Sequence, residues 1–238
     1  LYGALSSWGD VAVGEVRPSA DRPTRSAILG LVAAALGIRR DEEDLHVVLG
    51  SSLGIGVLVT SVGKPLVDYH TVQVPRSGSS KRPRRYATRQ EELTGRHRSE
   101  LRTILSQREY RMDSLADVAT WLRLPDPPFA LKSIREALER PTFVPYLGRK
   151  SCPLALPMQP QIVSAASLIE AFAASRFERP AGVAPHPPGG RRTLYWDEGG
   201  EPGVPVERTE TRRDSPVSRR RWQFEVRHEH HATLEEGH

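Results

Sequence analysis

The stretch that most constrains this chain is Thr24 to Gly37, TRSAILGLVAAALG. Ile28, Val32, Ala35 and Leu36 fall at i, i+4, i+7 and i+8, a helical period. Thr24 is placed to cap the N-terminus and Gly37 to close the C-terminus. Leu29, Leu31 and Ala34 spread apolar surface over the remaining faces. A helix apolar nearly all round must be buried, so other elements have to cover it on several sides. A chain of 238 residues is long enough to build such a core.

The surrounding pattern supplies those elements. Leu1 to Leu5 reads as a strand, followed by a turn at Ser6-Ser7-Trp8-Gly9 and a loop to Pro23. A second helix is expected after the acidic run Asp41 to Asp44, with Leu45, Val48 and Leu49 on one face and Gly50 at its end. Ile55 to Val62 and Leu66 to Val74 read as strands, and a third lies within Asp113 to Leu124. A helix with Leu131, Ile134, Ala137 and Leu138 on one face runs between Pro127-Pro128 and Pro141, and Cys152 to Leu156 reads as a last strand. Strand, helix, strand, strand, helix, strand is the ferredoxin-like βαββαβ plan, an α+β fold shared with RRM-type RNA binders.

Charge distribution adds a functional hint. The net charge is +5. Between Pro75 and Met112 lie eleven basic residues, among them Arg76, Arg82, Arg84, Arg85, Arg89 and Arg108, against four acidic ones. The surplus of this insert exceeds that of the whole chain. Its first part is rich in Ser, Gly and Pro, and its second part reads as helical. Such a segment suits a polyphosphate partner or a neighbouring subunit; the plain alternative is a solvated loop. Beyond Met158 the character changes: a short apolar stretch (Ile162 to Phe172), a Pro/Gly-rich region (Pro180 to Pro205), then a basic cluster, Arg212, Arg213 and Arg219 to Arg221, beside Trp222. The expected division is therefore 1–157 with a basic insert at 75–112, and a smaller β-rich part at 158–238. Cys152 is the single cysteine, which excludes an internal disulfide and a cysteine-based zinc site. No apolar run nears the roughly 18 residues of a membrane span and no signal peptide is visible, so a cytoplasmic protein is expected.

Four constellations could carry chemistry. In Pro141 to Pro153, PTFVPYLGRKSCP, Gly148 admits close backbone approach, Arg149, Lys150 and Ser151 are phosphate and sugar ligands, and Tyr146 offers a stacking face. A solvated turn is the other reading of the same residues. Arg25 and Ser26 follow Thr24 at a helix N-terminus, where free N–H groups and a guanidinium can hold an anion; a simple cap with an exposed Arg is as consistent. His70, beside Tyr69 on a strand, could serve as a general base or an RNA contact, or be structural. His228, His230 and His231 read as a polar tail. Gly50 to Gly56 (GSSLGIG) follows a helix and precedes a strand, the reverse of a nucleotide loop, and no hydrolase or metalloprotease motif is present. No cofactor or metal is expected.

Trp8-Gly9, PTRSAILGLVAAALGIRRDE (Pro23 to Glu42), Asp68-Tyr69-His70-Thr71-Val72, Arg108-Glu109-Tyr110 and VPYLGRKSCPL (Val144 to Leu154) occur in an order and at spacings that resemble the CasD family of RAMP proteins. The likeness covers about Leu1 to Leu156 and thins out beyond Met158. It implies a ferredoxin-like domain, a protruding basic thumb at 75–112 and a small β-rich C-terminal domain. It implies a non-catalytic, RNA-binding subunit of a type I-E CRISPR Cascade complex. Such a subunit holds the 5′ handle of the CRISPR RNA, caps the backbone filament, touches the subunits CasC and CasA, and meets target DNA only through the assembled complex. By the same likeness, Arg25 and Ser26 would bind handle phosphates. His70 and Arg108 would contact RNA at the thumb base. Tyr146, Gly148, Arg149, Lys150 and Ser151 would line the handle loop, and Trp8 would stack on a base or sit in the core. The competing reading is a metal-independent endoribonuclease like relatives in type I-C systems, with Tyr69 or His70 as base. A general RRM-like binder ranks below both, because the aromatic RNP signatures are absent.

Overall fold

The computed structural model describes residues 1–75, 86–95, 97–179 and 191–235. Its N-terminal strands are β1 (Tyr2–Ser6), β2 (Trp8–Gly9), β3 (Val16–Arg17) and β4 (Ser19–Ala20). Trp8-Gly9, expected as a turn, pairs instead with Ser19-Ala20. The apolar helix forms as expected: α1 (Arg25–Leu36) is capped by the Thr24 side chain on Ala27 N, and Gly37 closes it at φ 78°. Ile28, Leu29, Leu31, Val32, Ala33 and Ala35 are all buried. α2 (Glu43–Ser52) runs past Gly50 directly into β5 (Leu53–Ser61).

β5, β6 (Lys64–Pro75) and β7 (Leu101–Leu122) make one long antiparallel hairpin. β5 and β6 lie end to end along the same edge of β7, from Leu53 opposite Leu122 to Pro75 opposite Leu101. The junction is marked on both strands by positive φ, 68° at Gly63 and 55° at Asp113. A Cβ at Gly63 would lie 2.3 Å from the Met112 carbonyl oxygen, so only glycine fits there. Inside the junction β5 is buried over most of its length; outside it β6 is largely exposed, including Leu66, Val67, Tyr69 and Val72. The outer half is thus an arm of twelve residues on the β6 side, about 40 Å at ~3.4 Å per residue.

The arm corrects one expectation. The second half of the basic insert is not a helix. Among the described residues of the insert, only α3 (Arg89–Thr94) and a 3₁₀ turn at Arg98–Glu100 are helical, and Leu101 onward is strand, because pairing with β6 satisfies its backbone. Of the expected thumb arginines, Arg89 is described; Arg76, Arg82, Arg84 and Arg85 lie outside the described residues.

The remaining elements are α4 (Leu131–Glu139), α5 (Leu168–Ala174), β8 (Arg192–Asp197), β9 (Arg208–Ser218) and β10 (Gln223–Leu234). The strand expected over Cys152–Leu156 is absent. A single bridge, Tyr146 to Pro153, and the bond from Ala155 N to Tyr2 O at 3.0 Å tie this segment down. Pro153 and Pro157 have no N–H to give a ladder. The sheet runs β1-β7-β5-β8-β10-β9, with β3 and β6 also on β7. It is continuous across residue 158, because β8 pairs directly with β5. One face packs Ile55, Val57 and Val59 under α1 and α4, while Leu58, Leu194, Trp196, Ala232 and Leu234 pack on the other with Leu168 of α5. The histidines read as a tail stand in the paired strand β10, where His230 Nδ1 lies 2.8 Å from Thr209 Oγ1. Among the described residues no helix is long and apolar enough to cross a membrane.

A buried ion network joins the start of α1 to the last three strands. Arg227 reaches both oxygens of Asp214 (2.6 and 3.0 Å), Asp197 (2.9 Å) and Glu229 (2.6 Å). Arg22 bonds Glu229 through Nε at 3.0 Å, and Arg25 pairs with Asp197 and with the carbonyls of Gly50 (2.6 Å) and Leu53 (3.0 Å). Burial raises the Asp197 carboxyl above its usual range in spite of three nearby guanidinium groups. Burial opposes ionisation at Asp214 too, but hydrogen bonds and charge from Arg227 and the Arg25 N–H hold that carboxyl below its ordinary 3.8. Breaking such a pair on one side strands a buried charge, at a cost of about 3–5 kcal/mol. Asp214→Asn is therefore expected to lower the melting temperature near pH 7 by on the order of 10 °C. The stability from Asp214 is complete above its ordinary pKa and is lost as pH falls through the lower folded value. Protonation of Asp197 runs the other way and offsets part of that loss. Thermal melts of both proteins from pH 7 to pH 3 should show the gap between them narrowing below about pH 4; a constant gap would contradict the assignment.

Candidate nucleic-acid interface

α1 presents one partly exposed face, Ser26, Ala27, Gly30 and Ala34, and this face floors an open groove of about 810 Å³. One wall is the loop around Tyr146 and Gly148. The other is the β9–β10 hairpin, with Arg213, Val217, Arg219, Trp222 and Phe224. Small floor residues keep the groove open, and Arg219 lies across it, donating to the Ser26 carbonyl at 2.6 Å.

The loop wall is anchored from beneath. Leu147 and Cys152 are 1% and 0% exposed and pack with Trp8, Ala20 and Tyr110. Burial pushes the Cys152 thiol up, away from reactivity. Leu147 N donates to Cys152 O at 2.7 Å, and Ser7 N donates to Leu147 O at 3.0 Å. Gly148 has φ 84°, and a Cβ there would sit 1.8 Å from the Ser7 carbonyl oxygen. The close backbone approach that the glycine permits is thus made by the segment just after the chain's own first strand. With Leu147 held inward, Tyr146 turns out to the groove at 38% exposure.

The same loop reaches a second surface at the root of the arm. The Arg149 guanidinium lies 4.8 Å from the Tyr110 ring centroid and donates to the Arg17 carbonyl at 3.2 Å. On β7, Ser106, Arg108 and Tyr110 share one face by strand alternation. Arg108 stands opposite Asp68, and His70 opposite Ser106, so His70 and Arg108 are diagonal neighbours on that face. His70 Nε2 lies 2.5 Å from Asp68 Oδ2. Lys150 and Ser151 are exposed at the turn beside Arg149. Tyr146 and Arg149, three residues apart, therefore join the groove to the arm root.

Arg25 does not join either surface. It is 5% exposed, its guanidinium is held by Asp197 and two carbonyls, and its backbone N–H donates to Asp214 at 2.8 Å. The helix N-terminus does bind an anion, as dipole reasoning expects, but the anion is the protein's own Asp214. Ser26 remains at the groove floor, its hydroxyl 3.2 Å from that of Thr24. Trp8 is 2% exposed and belongs to the core, not to a stacking surface. Arg89 is exposed on α3, paired with Glu92 and with the Gln73 carbonyl. Among the described residues there is no group of three or more His, Cys, Asp or Glu arranged to hold a metal ion.

Arg213, Arg219, Trp222 and Phe224 are groove residues that the sequence does not mark as a site. Their signal is a basic run beside aromatics, and nothing local in sequence ties that run to α1. The hairpin turn is fastened there by Glu43, which accepts from Arg220 N at 3.1 Å and from the Ser218 hydroxyl.

A mixed α/β protein with a curled antiparallel sheet and with guanidinium groups interleaved with aromatic planes along an open groove is of the kind that binds single-stranded nucleic acid. The chain belongs to the family described as CRISPR-associated protein (Cas_Cas5), which it matches over residues 1–229. It is 34% identical over 168 residues to the CRISPR system Cascade subunit CasD of Escherichia coli (strain K12), an alignment spanning 66% of this chain and 66% of that protein. Two solved structures share the fold. One, described as a CRISPR RNA-guided surveillance complex, gives a TM-score of 0.62 at 22% identity over 98% of this chain and 87% of that chain. The other, a Cas protein, gives 0.60 at 24% identity over 99% and 93%.

Replacing Gly148 tests the loop architecture. Gly148→Ala forces a Cβ against the Ser7 carbonyl in a left-handed backbone, and a loss of about 1–3 kcal/mol is expected in urea unfolding. An unchanged midpoint would show that the loop is not held as described.

Proposed function

We propose that this chain is a CRISPR RNA-binding subunit of a type I-E Cascade complex, which holds the 5′ handle of the guide RNA and caps the backbone filament without cutting RNA. The observation that carries the reading is the loop Tyr146 to Ser151. It turns an aromatic face to the groove on one side and sets Arg149 against the Arg108 face of the arm on the other. An unpaired strand crossing that loop meets a stacking face and then two guanidinium groups, which suits splayed-out bases rather than a duplex. Family membership and the similarity to CasD support the same assignment.

In this reading His70, Arg108, Tyr146, Arg149, Lys150 and Ser151 contact the handle, and Ser26 and Gly148 shape the groove floor and wall. The arm, with Arg89 and the thumb arginines 76, 82, 84 and 85, reaches RNA or a CasC neighbour. CasA docks on the assembled complex, and target DNA is met through it. The ferredoxin-like RAMP part over 1–157 and the smaller β-rich part over 158–238 belong to the same proposal. It is supported by α1 and α4 sharing one sheet face and by β8, β9 and β10 all following residue 158.

The test is purified protein with labelled repeat RNA, with and without EDTA, read on a denaturing gel and in a salt-titrated binding assay. Intact RNA and salt-sensitive binding to the handle are expected. Arg108→Ala and Arg149→Ala should each weaken binding and lower the log–log salt slope by about 0.7 for each phosphate left unneutralised. Site-specific, EDTA-resistant cleavage would replace this reading with a processing nuclease centred on Tyr69 and His70. Unchanged slopes in both variants would remove those two residues from the interface.

A further inference from the structure

The turn between β9 and β10 holds a feature that handle binding through the Tyr146 loop does not use. Trp222 is 58% exposed and sits at φ 57°, a left-handed backbone that a bulky side chain rarely adopts. Glycine or asparagine would suit that turn better. The conformation directs the indole outward, where it helps line the groove wall. The Arg40 guanidinium lies 4.3 Å from the ring centroid, a cation–π contact on one face of the indole. Phe224 meets the indole edge-on, centroids 5.8 Å apart at 65°. The indole is thus braced on one face and one edge, while more than half of the residue stays open.

The neighbours say what could complete the stack. Arg213, Arg219, Arg220 and Arg221 surround the turn. Burial depresses the Arg219 pKa, and Arg40 adds to that effect. Of the two aspartates lining the groove, Asp214 is neutralised by Arg227, and Asp10 accepts from the backbone N–H of Val11 at 2.7 Å. Glu43 faces Arg220 and Arg221 at the turn and offsets part of the charge, but Arg40, Arg213 and Arg219 to Arg221 outnumber it. Surplus guanidinium charge around an exposed indole, itself backed by a cation, fits a flat, electron-rich ring attached to an anionic backbone. That is an unpaired nucleobase of an RNA strand.

We propose that Trp222, backed by Arg40 and Phe224, is a stacking subsite for a single unpaired base of bound RNA, on the wall of the groove opposite Tyr146. The proposal rests on the RNA-binding reading and adds a specific base position to it.

The experiment uses the full chain and a series of eight-nucleotide single-stranded RNAs carrying 2-aminopurine at each position in turn. Trp222→Gly removes the ring while giving the left-handed turn its favoured residue, so the fold is retained; a thermal melt checks this. One probe position is expected to be quenched on binding to the wild-type chain, with the quench lost in Trp222→Gly and largely kept in Trp222→Phe. Affinity for the unlabelled RNA should fall about tenfold in Trp222→Gly, the size of one base–aromatic stack. RNA that carries an abasic nucleotide at the quenched position should bind both proteins alike. Tight binding with quenching that survives Trp222→Gly would overturn the subsite and leave the RNA-binding reading standing. No binding by the wild-type chain would overturn both.

Discussion

The architecture depends on carboxylates from the last three strands meeting the N-terminus of α1. Asp214 takes the Arg25 N–H, Asp197 takes the Arg25 guanidinium and the Ile55 N–H, and Arg227 holds both acids together. Charges so deeply placed are tolerated only when every partner is present. The network therefore fixes where the β9–β10 hairpin stands relative to α1, and the groove is the space left between them. Its floor is a helix face made of small residues, and its two walls arrive from distant parts of the chain.

The second constraint is the long hairpin. A ladder running from Leu53–Leu122 out to Pro75–Leu101 is core at one end and arm at the other, and the change falls at Gly63 and Asp113. β7 also carries β1 and β3 on its opposite edge, so one strand organises the N-terminal part, the arm and the Arg108 face together. The loop Tyr146–Ser151 gains its meaning from this geometry. It is anchored by Leu147 and Cys152 between the groove and the arm root, and so it can serve both.

How much of this can be read from residues alone follows from the range of the interactions. α1 is legible because its period, its Thr24 cap and its Gly37 closure are local. Helix α4 is legible for the same reason. The stretch from Leu101 to Met112 is not. Its apolar residues, Leu101, Ile104, Leu105, Tyr110 and Met112, do not alternate, so no apolar face marks the strand period, and partnership with β6 decides the outcome. The expected strand at Cys152–Leu156 does not form because Pro153 within it and Pro157 just after it have no N–H to give a ladder. Within the site, the turn chemistry around Gly148 is visible in sequence, although the backbone it accommodates is Ser7. The burial of Arg25 is hidden because the acids that neutralise it lie 189 and 172 residues further along the chain. Arg219 and Trp222 are visible as composition and become a site only when the hairpin is placed over α1.

The same network bears on how the chain acquires its structure during synthesis. Arg22 and Arg25 are made well before Asp197, Asp214 and Glu229, which lie 172 to 207 residues further along the chain. Until β8, β9 and β10 exist, the Arg25 guanidinium of α1 lacks Asp197, Arg22 has Asp21 beside it but lacks Glu210 and Glu229, and the outer edge of β5 has no strand beside it. An early, independently settled N-terminal half is thereby disfavoured. Closure of the sheet becomes a single late event, governed by contacts of very long sequence separation, of the sort that slows folding. A ribosome-bound intermediate of this protein would keep an unpaired edge of β5 in water until β8 and the β9–β10 hairpin behind it arrive.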